Sequence, residues 1–158
     1  MTVSIVCVGK LKEKYLKDAI DEYRKRLSRF CKLEITEIPD EKTPDNASQA
    51  EEQQILLREG RKILSAIKEG TPIIAMCVEG TLVSSEELSE KLSALAMNSG
   101  RVAFIIGGSL GLSDEVKSKA ISKISFGRIT LPHQLMRVVL SEQIYRSFKI
   151  ANNESYHK

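Results

Sequence analysis

Short apolar runs alternate along the chain with longer segments in which apolar and polar residues are mixed. Five of the runs have the length of a strand, contain β-branched residues, and are followed within two residues by glycine or proline. This pattern is typical of strands. The predicted strands cover residues 2–8, 33–38, 72–78, 102–106 and 124–130.

The mixed segments predict amphipathic helices, because their apolar residues recur at spacings of three and four. Ser84 with Glu87 three residues later matches a capping box, and Ser113 can cap another helix. The predicted helices cover residues 15–30, 47–68, 84–98, 113–120 and 134–150. Since strands and helices alternate, we expect an α/β fold in which helices cover both faces of a parallel sheet. No linker or repeat interrupts the pattern, so we expect residues 1–158 to form one domain.

The composition is that of an ordinary globular protein, with 42% hydrophobic and 28% charged residues. A chain of 158 residues can bury roughly two-thirds of its unfolded surface, which argues against disorder. No apolar stretch approaches the ~20 residues of a membrane span. The first lysines follow the apolar run 2–8, whereas a secretory signal has its basic residues before the run. We therefore expect a cytoplasmic protein.

Cysteine and histidine are too sparse for a disulfide framework or a metal site. Cys7, Cys31 and Cys77 are odd in number and form no CxxC pair. Cys7 and Cys77 lie in predicted strands, where a thiol is most often a small buried side chain. The chain has only two histidines, His133 and His157, so we expect no structural metal.

Positive charge is concentrated near the start of the chain. Between Lys10 and Lys32 there are nine basic and four acidic residues, although the whole chain carries a formal charge of only +3. Such a segment can contact phosphates and give salt-dependent affinity for nucleic acid. The alternative is a helix face whose charges are simply solvated.

The turns that follow residues 78, 106 and 130 are candidate ligand sites, because parallel sheets bind ligands beyond the carboxyl ends of their strands. The turn 107–111 (GGSLG) matches neither GxGxxG nor a Walker motif. Asp114 and Glu115 begin the next predicted helix and would repel a phosphate there. Glycines permit close approach to the backbone, which favours a ligand held by amides and carbonyls. A plain tight turn is the alternative.

The last predicted helix is apolar on more than one side. One side can face the sheet, and the other predicts contact with a second subunit, with two-fold symmetry as the default. Arg137 and Arg146 lie on this helix, where Glu142 can pair with Arg146, so both arginines can be solvated or interfacial ion pairs. No serine has a GxSxG setting, which argues against hydrolysis.

Over nearly its full length the chain resembles the bacterial ribosomal large subunit pseudouridine methyltransferase H family, a minimal member of the SPOUT class. The resemblance rests on SIVCVGKLKEKY, IPDEK, IIGGSLGL, LPHQLMRVVLSEQIYRSFKI and the terminal YHK. It implies a C-terminal trefoil knot, a homodimer and S-adenosylmethionine as methyl donor. It also implies methylation at N3 of a pseudouridine in large-subunit (23S) rRNA on assembled ribosomes.

The resemblance also assigns candidate residues, position by position. The cofactor pocket it implies consists of Met76, Gly108, Phe126, Gly127, Arg128, Ile129, Thr130 and Leu131. Candidates for contacting the base or removing its proton are His133, Arg137, Arg146, Tyr156 and His157. His133 follows a proline at a strand-to-helix turn, where packing is the ordinary role of a histidine. The family commonly has leucine and an acidic residue where this chain has Met76 and Cys77.

Two other functions compete with an rRNA methyltransferase. The first is a non-enzymatic RNA- or ribosome-binding module that acts through its basic first helix. The second is a small nucleotide-binding protein of flavodoxin-like architecture, against which the acidic start of the helix after residue 113 argues. Cofactor binding distinguishes the methyltransferase from the binding module.

Overall fold

The computed structural model describes residues 1–158 and contains one five-stranded sheet in which every pairing is parallel. The strands are β1 (Thr2–Val8), β2 (Lys32–Ile38), β3 (Ile73–Leu82), β4 (Arg101–Ile106) and β5 (Ser122–Ser125). Their order is β2-β1-β4-β3-β5, so β2 and β5 form the two edges. The predicted α/β class and parallel sheet are confirmed.

Five helices cover the two faces of this sheet, as predicted. They are α1 (Lys14–Leu27), α2 (Gln49–Ser65), α3 (Ser85–Asn98), α4 (Asp114–Lys119) and α5 (His133–Ala151). Alternate residues of β1 point to opposite sides: Ile5 joins the core beneath α1, α3 and α5, and Val6 joins the core beneath α2 and α4. None of the helices has both the length and the apolar character required to cross a membrane.

Serine caps set the starts of three helices. Ser84 and Glu87 form the predicted capping box, in which Oγ of Ser84 accepts from the Glu87 amide at 3.1 Å. Ser113 caps α4 as predicted. Ser48 forms a second capping box with Glu51. This box makes α2 begin at Gln49, two residues later than predicted, and α2 ends at Ser65 instead of 68.

Two predicted strands have the wrong end: the strand 72–78, which is longer in the structure and pairs with β5, and the strand 124–130, which is β5 itself. β3 does not stop before Gly80 but continues to Leu82 through an irregularity that makes Met76 and Thr81 both partners of Ile124. A Cβ atom on Gly80 would lie 2.7 Å from the Ile124 carbonyl carbon, so only glycine fits this crossing.

β5 ends at Ser125, and the rest of the predicted strand 124–130 leaves the sheet. Oγ of Ser125 donates to the Gly127 carbonyl at 2.7 Å and accepts from the Gly127 amide at 3.2 Å. Gly127 has φ of +141°, which few other residues adopt. This side-chain turn replaces the backbone pairing that a longer strand would need, and it frees residues 126–132 to cross the end of the sheet.

The cysteines are free thiols. Cys7 and Cys31 are buried, and burial raises the pKa of each thiol to about 11. The predicted packing role is confirmed for Cys7. Cys77 is only half-buried, because it lies where β3 becomes irregular next to β5.

Candidate functional site

A cavity of about 930 Å³ lies beyond the carboxyl ends of β3, β4 and β5. Its walls come from the segments 76–79, 106–112 and 124–133, with Lys117 and Met136 added from α4 and α5. The three segments contain the three turns that the sequence pattern singled out. Ligand cavities in proteins usually have volumes of 300–1,000 Å³ and occur at this end of parallel sheets.

The eight residues predicted to hold a cofactor all line this one cavity, together with His133. Met76 is 9% exposed and Phe126 is half-buried, so they supply apolar wall. Ile129 is 80% exposed and extends the apolar surface outward. The structure thus brings these residues together, and their contact with a cofactor stays a prediction.

The irregular segment after β5 leaves backbone donors available. The amides of Arg128, Ile129, Thr130 and Leu131 donate to no atom of the protein. A run of free N–H groups at a cavity wall can bind the acceptor atoms of a ligand without any charged side chain. They are available because the chain turns at Ser125 and Gly127, whereas the sequence pattern predicted a continuous strand over 124–130.

The glycine turn is held by close contact between backbones. A Cβ atom on Gly107 would lie 2.4 Å from the Gly111 carbonyl oxygen. On Gly108 it would lie 3.1 Å from Cγ1 of Val8 and 3.5 Å from Oδ1 of Asp40. A side chain at position 108 would therefore press on Val8 at the end of β1, so either the turn or Val8 would have to shift.

The charge around the cavity is mixed, with one free cation. Lys117 lies 2.5 Å from Glu79, and this hydrogen bond holds the pKa of the Glu79 carboxyl below its usual range. Arg128 is exposed and forms no salt bridge. The sequence pattern missed the Glu79–Lys117 pair, because the two residues are distant in sequence and neither belongs to a motif.

The five predicted catalytic residues fall into two separate groups. His133 and Arg137 lie at the start of α5, next to the cavity. The others cluster at its far end, where Tyr156 donates to Glu142 (3.2 Å), His157 contacts Glu86 (2.7 Å), and Arg146 contacts Glu142 (2.7 Å) and His157 (3.3 Å). Thirteen residues of helix separate His133 from Arg146, about 20 Å at 1.5 Å per residue. One copy of the chain therefore does not bring all five together.

Arg137 is buried and does not line the cavity, so the alternative of a solvated ion pair is wrong. Its side chain is 1% exposed. It donates to the carbonyl oxygens of Val8 at 3.2 Å and Gly9 at 2.7 Å and to Oε2 of Glu37 at 3.1 Å. The same Glu37 oxygen accepts from the Leu11 amide at 2.7 Å. Arg137 thus fixes the loop after β1 against α5, and no local sequence signal predicts a contact over such a separation.

Comparison with known proteins gives matches over nearly the full length of the chain. The family model for "Predicted SPOUT methyltransferase" matches residues 1–157. The protein named "Ribosomal RNA large subunit methyltransferase H" is 57% identical in Clostridium novyi and 55% identical in Clostridioides difficile. In both cases the match covers 100% of each chain.

Among solved structures, the chain is similar to a probable methylase family protein from Haemophilus influenzae Rd KW20. The TM-score is 0.53 and the sequence identity is 14%, over 96% of this chain and 66% of the other. At this identity the similarity supports the fold alone.

Proposed function

The chain belongs to the SPOUT methyltransferase family, and from this we propose that it transfers a methyl group from S-adenosylmethionine to N3 of a pseudouridine in large-subunit rRNA. The names of relatives that are 54–57% identical over their full length support an rRNA substrate. We propose that the enzyme acts on assembled ribosomes in the cytoplasm, and that residues 1–158 work as one methyltransferase domain.

The observation that carries this proposal is the convergence of all eight predicted cofactor residues on one cavity. The free amides at 128–131 suit the acceptor atoms of adenine and ribose, and Met76 and Phe126 suit the apolar faces of the adenosyl group. Arg128 is available for the carboxylate of the methionyl part.

The bound S-adenosylmethionine supplies a methyl group on a positively charged sulfur, which leaves as a neutral thioether. The protein must hold the acceptor nitrogen in line with this methyl group and accept the proton that N3 loses. His133 is the only predicted catalytic side chain that lines the cavity within one chain, so it is the proposed proton acceptor in this subunit. Arg137 is proposed as a positioning residue, because its hydrogen bonds fix the Gly9 loop beside His133.

A second copy of the chain could supply the remaining residues. Arg146 lies about 20 Å along α5 from His133 at the cavity of its own subunit, and Tyr156 and His157 contact Arg146 there. In a two-fold dimer that pairs the outer faces of α5, the far end of one helix can approach the near end of the other. We therefore propose a homodimer in which the tail acts at the partner's cavity.

The dimer prediction concerns the outer face of α5, where Leu135 is 38% exposed and Val139 is half-buried. Leu140 is fully buried in the core of its own subunit, so a charge there would prevent folding and test nothing. Val139→Asp should shift the protein from dimer to monomer in sedimentation and lower methyl transfer by more than tenfold. Met97→Asp is the matched control, because Met97 is 83% exposed on α3. A Val139→Asp dimer as stable as the wild type would contradict this interface.

The cofactor prediction concerns Gly108. Gly108→Val should weaken S-adenosylmethionine binding more than tenfold, over ~1.4 kcal/mol, because the new side chain pushes the turn away from Val8. Calorimetry measures the affinity, and thermal melting checks the fold. Gly70→Val is the control for a destabilising glycine replacement: Gly70 has a positive φ, which Gly108 lacks, so valine strains the backbone there, and it lies outside the cavity. Unchanged affinity in folded Gly108→Val would remove this turn from the site.

Transfer of labelled methyl groups tests the function itself. Intact ribosomes, separate subunits and naked rRNA are each incubated with the enzyme and labelled S-adenosylmethionine, and the RNA is then digested to nucleosides. We expect label in N3-methylpseudouridine, with intact ribosomes the best substrate. Binding to ribosomes without incorporation into any of them would favour the non-enzymatic alternative.

We further propose that the chain forms a trefoil knot. Residues 126–132 lead from β5 at one edge of the sheet, past the turn 107–112, to the start of α5 beside the end of β1. This path is what threading of α5 through an earlier loop requires. Pulling the chain from both ends would test it, because a tightened knot leaves the chain shorter than about 3.6 Å per residue.

A further inference from the structure

One aromatic side chain stands apart from the others on the surface. Tyr15 is 70% exposed in the first turn of α1, whereas the other seven tyrosine and phenylalanine side chains are buried or half-buried. It packs against no aromatic partner and donates no hydrogen bond within the protein. The fold therefore does not explain why a large aromatic residue occupies this position.

The surroundings of Tyr15 are basic. Lys10, Lys12 and Lys17 form no salt bridge, and only Lys14 has a partner, Asp18 at 2.7 Å. Glu13 and Asp18 are the acidic residues of this segment, so residues 10–18 carry a net positive charge. We call Tyr15 with Lys10, Lys12 and Lys17 the Tyr15 patch.

The Tyr15 patch lies beside the cavity, and hydrogen bonds fix the loop that leads into it. The Leu11 amide donates to Glu37 at 2.7 Å, and the Lys12 amide donates to Oε1 of Gln134 at 3.1 Å. Gln134 follows His133, and Nε2 of His133 would lie 3.2 Å from a Cβ atom on Gly9. The loop that leads into α1 is thus attached to the same turn of α5 that borders the cavity.

An exposed aromatic ring among free lysines is what single-stranded nucleic acid binds: bases stack on the ring and phosphates contact the cations. We propose that Tyr15 is a stacking platform for an unpaired base of the RNA substrate, next to the base that enters the cavity. Lys10, Lys12 and Lys17 hold the flanking phosphates. This inference rests on the proposed function and adds to it the residue that positions the RNA.

A spectroscopic test needs no methyl transfer. The chain contains no tryptophan, so Tyr15→Trp introduces a single tryptophan, which can be excited at a longer wavelength than the remaining tyrosines. A short single-stranded RNA should quench its emission by stacking, and a duplex of the same length should quench it much less. Met97→Trp is the matched control on the exposed end of α3 and should not respond. Absence of quenching while RNA binding is detected by anisotropy would overturn the proposal.

A kinetic test uses intact ribosomes. Tyr15→Leu should raise KM for ribosomes about tenfold or more, the loss expected for one stacked base, while S-adenosylmethionine affinity and kcat stay near wild type. Tyr15→Trp should restore KM. An unchanged KM in Tyr15→Leu would overturn the stacking role, and so would a KM effect that Tyr15→Trp fails to rescue.

The two tests separate this inference from the proposed function. Quenching by single-stranded RNA without methylation of any ribosome would refute the proposed methyltransferase activity but support the stacking role of Tyr15. Methylation with no effect at Tyr15 would refute the platform alone. Quenching by ribosomal proteins but not by RNA would show that the Tyr15 patch contacts protein and would overturn the proposal.

Discussion

Arg137→Met is expected to lower the free energy of unfolding by about 3 kcal/mol, at the low end of the range for breaking a buried ion pair. The guanidinium is 1% exposed and donates to two carbonyl oxygens and one carboxylate. Methionine fills much of the same volume but leaves the Val8 and Gly9 carbonyls without their donor. Because Glu37 is 40% exposed, water can solvate its released charge, which limits the loss.

Urea denaturation measures this loss. Arg24→Met is the control, because Arg24 is half-exposed, pairs with Asp21 on the surface at 3.3 Å, and should change stability by less than about 0.5 kcal/mol. Arg137→Lys should recover part of the loss, since an ammonium can reach one carbonyl but cannot serve all three acceptors. A loss below 1 kcal/mol for Arg137→Met would mean that these hydrogen bonds do not hold the loop.

Neutralising Lys10, Lys12 and Lys17 together is expected to have the largest effect on RNA binding. Each phosphate contact contributes about 0.7 to 0.9 to the slope of log affinity against log salt, so the slope should flatten by about two to three units. The affinity ratio between 50 and 200 mM salt should then shrink by about twentyfold to fortyfold. Titrations of an rRNA fragment at several salt concentrations measure the slope.

The sequence alone would select a different triplet, Lys25, Arg26 and Arg29, from the same basic segment. In the structure Arg26 pairs with Glu22 at 2.8 Å and Arg29 with Glu154 at 2.6 Å. Both guanidinium groups also lie over aromatic rings. Changing this triplet to glutamine should flatten the slope less than the first, and both triplets should leave cofactor affinity unchanged. If this triplet flattened the slope more than the Lys10, Lys12 and Lys17 triplet, the RNA contact would lie at the end of α1.

Local signals in the sequence were sufficient where one segment determines its own conformation. No glycine, proline or charged residue interrupts the run 2–8, and it forms β1 over the predicted residues. Ser84 and Glu87 form their box because both partners lie within one turn. The three turns at the cavity were found because parallel sheets present their carboxyl ends together.

Local signals in the sequence were insufficient where a contact with another residue determines the path of the chain or the burial of a side chain. Apolar residues at 124–130 fit a strand, yet Ser125 bonds to Gly127 and turns the chain away from the sheet. Arg137 fits an exposed helix position, yet its acceptors lie at the end of β1. The length of α5 was predicted, but the contacts of Tyr156 with Glu142 and of His157 with Glu86, which hold the tail away from the cavity, join residues that no local pattern connects.

The hydrogen bond from Arg137 to the Gly9 carbonyl joins residues 128 positions apart, so the order of synthesis matters for this molecule. β1 emerges among the first residues, but until the start of α5 has been made the loop after it has hydrogen-bond partners only in β2, at Glu37 and Ile38. Closing so long a loop is entropically costly and slow, because contacts of high sequence separation form late. A nascent chain that stops before residue 133 would therefore contain all five strands but lack the contacts of Gln134 with Lys12 and of Arg137 with Gly9, so we expect the RNA-binding geometry of this loop to be completed only in the last stage of folding.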